Sequence, residues 1–226
     1  MGHLTKQVFG DVNGAVGHVV FKKRAGSNYI AMRVEKLKAT LDPVVLARRS
    51  KFAMTGKIAK AVNSLAVLKA AWPVTDGRMS RFNEIFQANY KIIGSAANIL
   101  SAAVAPMFGF SLTNSHVTTL ATGVQMTTDA LGVKAGIDTG TEKYIVAAGI
   151  IVLSTPNQDG LPPTIVLSFK SPQHNLDLIN PIDLTAELEG TGLVQYGYYT
   201  TKKAFACLVT LDDNGQTVHT SLSVQS

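Results

Sequence analysis

Lys143-Tyr144-Ile145-Val146-Ala147-Ala148-Gly149-Ile150-Ile151-Val152-Leu153-Ser154 is a continuous apolar run, rich in β-branched residues and followed by Pro156-Asn157-Gln158-Asp159-Gly160. Such a run closed by such a cluster reads as a β-strand ending in a turn. The same texture recurs on the carboxyl-terminal side, at 164–169, 182–189, 193–200, 204–211 and 217–224. Leu161-Pro162-Pro163, Ser171-Pro172, Asn180-Pro181, Glu189-Gly190-Thr191-Gly192 and Asp212-Asp213-Asn214-Gly215 stand between these runs. Short strands separated this regularly predict an antiparallel, Ig-like β-sandwich of about seven or eight strands. Asn214-Gly215 is hairpin-turn chemistry and joins the last two.

Upstream the pattern differs. Val16, Val19, Val20 and Phe21 lead into Lys22-Lys23-Arg24; Ala25-Gly26-Ser27-Asn28 supplies a turn, and Tyr29-Ile30-Ala31-Met32-Arg33-Val34 returns. This is a β-hairpin, loosened at its start by Gly10, Gly14 and Gly17. A ribbon this short needs a surface to lie on. Asp42-Pro43 opens a helix, and Ile58, Val62, Leu65, Leu68 and Trp72 line one face of it, with Gly56 expected to mark a kink or junction. A second helix from Ser80 to about Ile93 carries Phe82, Ile85, Phe86, Asn89 and Tyr90, a stripe expected in the core. Residues 92–110 lack charge but hold Gly94, Ser95, Asn98, Ser101 and Pro106, so they read as a buried helix and a connection, not a membrane span. The fold class is therefore α+β, with a hairpin and helices over 1–107 and the sandwich over 108–226.

Charge divides the same way. Residues 1–100 hold sixteen Lys+Arg against five Asp+Glu, a net +11, whereas 101–226 hold five against ten, a net −5. Charged residues are 16% of the 226, and mean hydropathy is +0.17, so ionic groups cover less surface than usual. Both features suit a subunit with large buried contacts, and many Thr residues after position 110 also suit a compact domain with a hydroxyl-rich surface.

Catalytic and cofactor motifs fail on inspection. Gly10 to Gly17 is glycine-rich but lacks phosphate-loop order and enters a strand; Gly56-Lys57 is followed by Ile58 instead of Ser or Thr. His3, His18, His116, His174 and His219 are scattered singly without cysteine partners, which disfavours a metal site. Asp212-Asp213-Asn214-Gly215 lacks the later bidentate Glu of a calcium loop. No G-x-S-x-G elbow occurs, and Glu187 with Glu189 permits a carboxylate pair on one strand face but no recognisable cleft. Cys207, alone in an alternating apolar run, reads as a buried hydrophobe. The start, Met1-Gly2-His3-Leu4-Thr5-Lys6, has no apolar leader, and Lys6 stands where myristoylation needs Ser or Thr. Synthesis in the cytoplasm without a signal peptide, no membrane insertion, no cofactor and no enzymatic activity are the expectations.

Gly14-Ala15-Val16-Gly17-His18-Val19-Val20-Phe21-Lys22-Lys23, Asn28-Tyr29-Ile30 and Arg48-Arg49-Ser50-Lys51-Phe52 resemble an uncharacterised family common in Bacteroidota. That family opens with a G-x-x-G strand, a basic hairpin and a helix bearing a Q-x-x-R-x-x-F-type signature, before a β-rich part. Val45 or a neighbour replaces the Gln here. The resemblance covers about the first quarter of the chain, with a further likeness over 204–224, and implies an architecture and a bacterial or phage origin but no catalytic residues.

Lys22, Lys23, Arg24, Arg33, Lys36, Lys38, Arg48, Arg49 and Lys51 form the candidate contact set. They fit the acidic sandwich of another copy in a head-to-tail assembly of a virion, tail or filament, beside other particle proteins. The alternative is a nucleic-acid-associated protein that tracks phosphates with the same cations.

Overall fold

The computed structural model describes residues 2–3, 14–24, 27–32, 42–74, 79–94, 99, 101–133 and 136–226. It divides into two compact units, Met1–Asp42 and Pro43–Ser226. In the first, β1 (Gly2–His3), β2 (Gly14–Val16), β3 (Val19–Arg24) and β4 (Ser27–Met32) form an antiparallel sheet ordered β1-β4-β3-β2. The expected hairpin is β3–β4, paired from Val19↔Met32 to Arg24↔Ser27. A second, unanticipated hairpin turns at Gly17-His18, where Gly17 has φ +59°, a conformation that a residue without Cβ adopts at no steric cost.

The second unit is organised by two thirteen-residue strands, β7 (Tyr144–Pro156) and β11 (Tyr199–Leu211), paired antiparallel from Thr201↔Ser154 to Leu211↔Tyr144. β8 (Thr164–Lys170) forms one edge of their sheet and β12 (Thr217–Thr220) the other, with β9 (His174–Asn175) and β13 (Val224–Gln225) beside β7 and β11. The continuous apolar run exists because the strand is buried on both faces. Val146, Ala148, Ile150 and Val152, with Phe205, Cys207, Val209 and Leu211, pack against α1 (Pro43–Ser64), α2 (Ala66–Ala71) and α3 (Arg81–Ile92). The alternate residues Ile145, Ala147, Ile151 and Leu153, with Ala204, Ala206 and Leu208, pack against a smaller sheet. That sheet has the order β10-β6-β5, from β5 (His116–Thr119), β6 (Gly123–Thr128) and β10 (Ile182–Glu187). The result is three layers: helices, central sheet, small sheet. The α+β class is as read from the sequence, with two antiparallel sheets enclosing a core.

Several boundaries fall elsewhere than expected. The division at 107/108 lies inside the second unit, because the helices and the central sheet share one core. Helix α1 runs unbroken through Gly56, since Met54, Thr55, Ile58 and Ala59 anchor that turn, and the chain breaks at Leu65 instead. The run 193–200 is strand only at Tyr199-Thr200, where β11 begins: α4 (Gly190–Gly197) starts from Gly190 at φ +53° and swings Tyr196 into the core, where its hydroxyl donates to Leu120 O at 2.7 Å. So short an apolar run fits either period, and the buried tyrosine decides.

Among the described residues of 92–110 none beyond Ile92 is helical, and Ala102 to Ala105 are buried in irregular backbone. Buried main-chain groups outside ladders must find other partners. Asn89 supplies them: its Nδ2 donates to Ala103 O at 2.9 Å, and its Oδ1 accepts from Ala103 N at 2.9 Å. Trp72 Nε1 donates to Val104 O at 3.2 Å, and Ser223 Oγ accepts from Val104 N at 3.0 Å and Ala105 N at 3.2 Å.

Two comparisons test this account. Gly149 lies where a Cβ would overlap Phe205 O and stand 2.8 Å from Ala206 Cα, whereas a Cβ on Gly56 meets nothing within 4 Å. Gly149→Ala is expected to lower unfolding free energy by about 3 kcal/mol or more, and Gly56→Ala to raise it by about 0.5–1 kcal/mol, in urea titrations. Asn89→Leu, which strands both polar groups of Ala103, should cost about 2–4 kcal/mol in the same assay.

Candidate functional site

The candidate cations separate between the two units. Lys22, Lys23 and Arg24 lie on β3, with Lys22 exposed, while Arg33, Lys36 and Lys38 are outside the described residues. Arg48 and Arg49 are exposed on α1, and Lys51 is half-buried there. Each unit therefore carries its own basic cluster.

On α1 the cations surround an aromatic centre. Phe52 lies six residues before Ile58, about 120° around the helix from the core-facing side, and is 61% exposed. Its ring centroid is 4.8 Å from that of Phe86 and 6.5 Å from that of Tyr90, both on α3. Phe86 and Tyr90 stack at 5.9 Å with an interplanar angle of 12°, and Lys51 Nζ stands 4.7 Å from the Tyr90 centroid. Ser80 caps α3 by accepting from Asn83 N at 3.4 Å, which fixes the helix start that presents these rings. The stripe expected in the core is thus divided: Ile85 and Asn89 are buried, Phe82 and Phe86 are half-buried, and Tyr90 is at the surface. Phe52 was legible only as an aromatic set among Arg48, Arg49 and Lys51, off the Ile58–Val62 face.

Acidic groups collect on the layer opposite. On β10, Ile182, Leu184 and Ala186 enter the core, so Asp183 and Glu187 take the outer face. Asp183 accepts from Gln125 Nε2 on β6 at 2.9 Å, and Glu187 and Glu189 are exposed. Glu189 occupies the N-cap of α4 instead of continuing the strand. Asp183 and Glu187 thus lie on the small sheet, across the central sheet from Arg48 and Arg49 on α1, while Glu187 and Glu189 also reach a groove bordered by Lys57 and Lys60.

Between α1 and β8 runs a groove of about 600 Å³, lined by Lys57, Lys60, Ser64, residues 165–170, Glu187 and Glu189. Elsewhere, buried Glu142 accepts from Asp138 N at 2.9 Å through Oε1, which also lies 3.0 Å from Nδ1 of half-exposed His219; its Oε2 has no hydrogen-bond partner among the described residues. His219 borders a cavity of about 320 Å³ with Phe108 and Phe110. Among the described residues no hydroxyl or thiol hydrogen-bonds the imidazole's other nitrogen, and the Glu142 carboxylate orients the ring. Also among them, no group of three or more His, Cys, Asp or Glu is placed to hold a metal, and no helix is long and apolar enough to cross a membrane. No model of a known protein family matches the chain, and no curated protein matches it.

Cys207 is fully buried, and burial pushes its thiol up to about 12. A maleimide reagent at pH 8 is expected to leave the folded protein unlabelled and to label one site per chain once urea unfolds it, read by mass spectrometry.

Proposed function

We propose that this protein is a non-enzymatic structural subunit that assembles head to tail with copies of itself. The observation that carries the reading is the separation of charge across the central sheet of Pro43–Ser226. Arg48, Arg49, Lys51 and Lys91 belong to the helical layer, and Asp183 and Glu187 to the small sheet. An aromatic centre ringed by cations is a common form for an interface hot spot, where the rings supply desolvated area and the charges supply register. In a heterologous contact, Phe52 and Tyr90 of one copy meet the β10 face of the next.

Phe52→Ala and Arg48→Glu/Arg49→Glu are each expected to weaken association at least tenfold, and raising the salt from 50 to 500 mM should weaken that of the unaltered protein. Sedimentation equilibrium reads both. A monomer at every concentration and salt, or association indifferent to these substitutions, would remove the proposal.

A second reading rests on the same rings. Exposed aromatics beside Arg and Lys also suit the stacking of single-stranded nucleic acid. On that reading, a fluorescent thymidine oligonucleotide binds at 50 mM salt and is released by Phe52→Ala; no retention at low salt excludes it.

A further inference from the structure

We propose a second contact between copies: the edge strand β8 of one molecule pairs with the edge strand β10 of another, and reciprocally, in a two-fold dimer that closes the open side of the sandwich. This goes beyond head-to-tail stacking: it uses the main-chain edges of β8 and β10, while the carboxylates of β10 serve both contacts.

Among the described residues no strand pairs with the outer edge of β8, or with that of β10. Ser171 N donates to Ala147 O at 2.8 Å, so in the antiparallel alternation Phe169, Leu167 and Ile165 turn their main-chain groups toward β7. Thr164, Val166 and Ser168 then point theirs outward, and Lys57 Nζ already donates to the Thr164 carbonyl at 2.8 Å. Likewise Leu188 N donates to Thr122 O at 2.9 Å, which leaves Asp183, Thr185 and Glu187 with outward main-chain groups on β10. β8 reads Thr-Ile-Val-Leu-Ser-Phe-Lys, uncharged before Lys170, with no proline and no bulge to blunt it. Native edges of this length and composition are covered or charged, because they otherwise template pairing. The far edge of the same sheet is closed by the short strands β12 and β13.

Charge selects the occupant. Val166 packs toward the helices, so by alternation Lys170 emerges on the helix side of the sheet, where Lys57 and Lys60 also stand. Asp183 and Glu187 emerge from the outer face of the small sheet, with Glu187 and Glu189 also at the rim of the groove that the lysines line. A two-fold axis perpendicular to the sheets would set β8 against β8 and β10 against β10, bringing lysines to lysines and carboxylates to carboxylates. An axis parallel to the strands exchanges the layers: β10 of the second copy continues the central sheet beside β8, and its carboxylates face Lys57, Lys60 and Lys170. Both ends of the reciprocal contact gain opposite charge, and both sheets gain a strand.

The test uses the full chain in sedimentation equilibrium, with circular dichroism as a check on folding. Ser168→Pro and Thr185→Pro each delete an outward N–H while sparing the internal ladder, and each should weaken the dimer at least tenfold. Lys60→Glu/Lys170→Glu and Glu187→Lys/Glu189→Lys should each weaken it, and the four changes together should restore it, which keeps the test available if a proline variant misfolds. The Arg48→Glu/Arg49→Glu variant should lose longer assemblies yet retain the dimer. Association that depends on Phe52 but ignores both proline variants, and that the fourfold charge exchange does not restore, overturns the edge pairing and leaves the head-to-tail reading intact. A protein that never leaves the monomer overturns both.

Discussion

The β7–β11 pair is the constraint from which the rest of the larger unit follows. Two thirteen-residue strands, apolar on alternate and intervening positions alike, cannot leave either face in water. At about 25 cal/mol per Å² of apolar surface removed from water, each large side chain on either face contributes roughly 1.5–3 kcal/mol, so both faces demand a covering layer. The helices cover one and the small sheet the other. Gly149 permits the closest approach of the two strands, at the position where any side chain would meet the Phe205 carbonyl. Separation of the basic and acidic layers is then a by-product of which segments do the covering.

The segments with strong, unambiguous periods were legible. Ile58, Val62, Leu68 and Trp72 are buried as their spacing implies, Ser80 caps the helix that starts at Arg81, and Asn214-Gly215 joins β11 to β12. Failures cluster where tertiary contacts override local preference. Gly56 stays helical because its neighbours are anchored; 193–197 turns helical around buried Tyr196; and 101–106 stays irregular because Asn89, Trp72 and Ser223 satisfy its backbone. Asn89, Trp72 and Ser223 are distant in sequence from the segment they satisfy, and the burial that anchors Gly56's turn and Tyr196 is set by tertiary packing, so no window of composition reveals them.

For the candidate surface, the charge imbalance was visible in the sequence, but its mechanism was not. Counting residues suggested two domains of opposite sign divided near position 107. In Pro43–Ser226 the opposition instead arises within one body, across the thickness of a shared sheet. The exposed aromatic centre was the less legible part, because a helical stripe of Phe and Tyr ordinarily marks a core. Only the placement of Phe52 off the buried face shows that the stripe continues past the core to the surface.

The fastening of 101–105 has a kinetic corollary. Val104 and Ala105 depend on Ser223, so this part of the helix-side interior is closed by a residue the ribosome adds more than a hundred positions later. Joining segments so far apart is a long loop closure, whose entropy must be met before the buried contacts repay it, and that slows the folding of the larger unit.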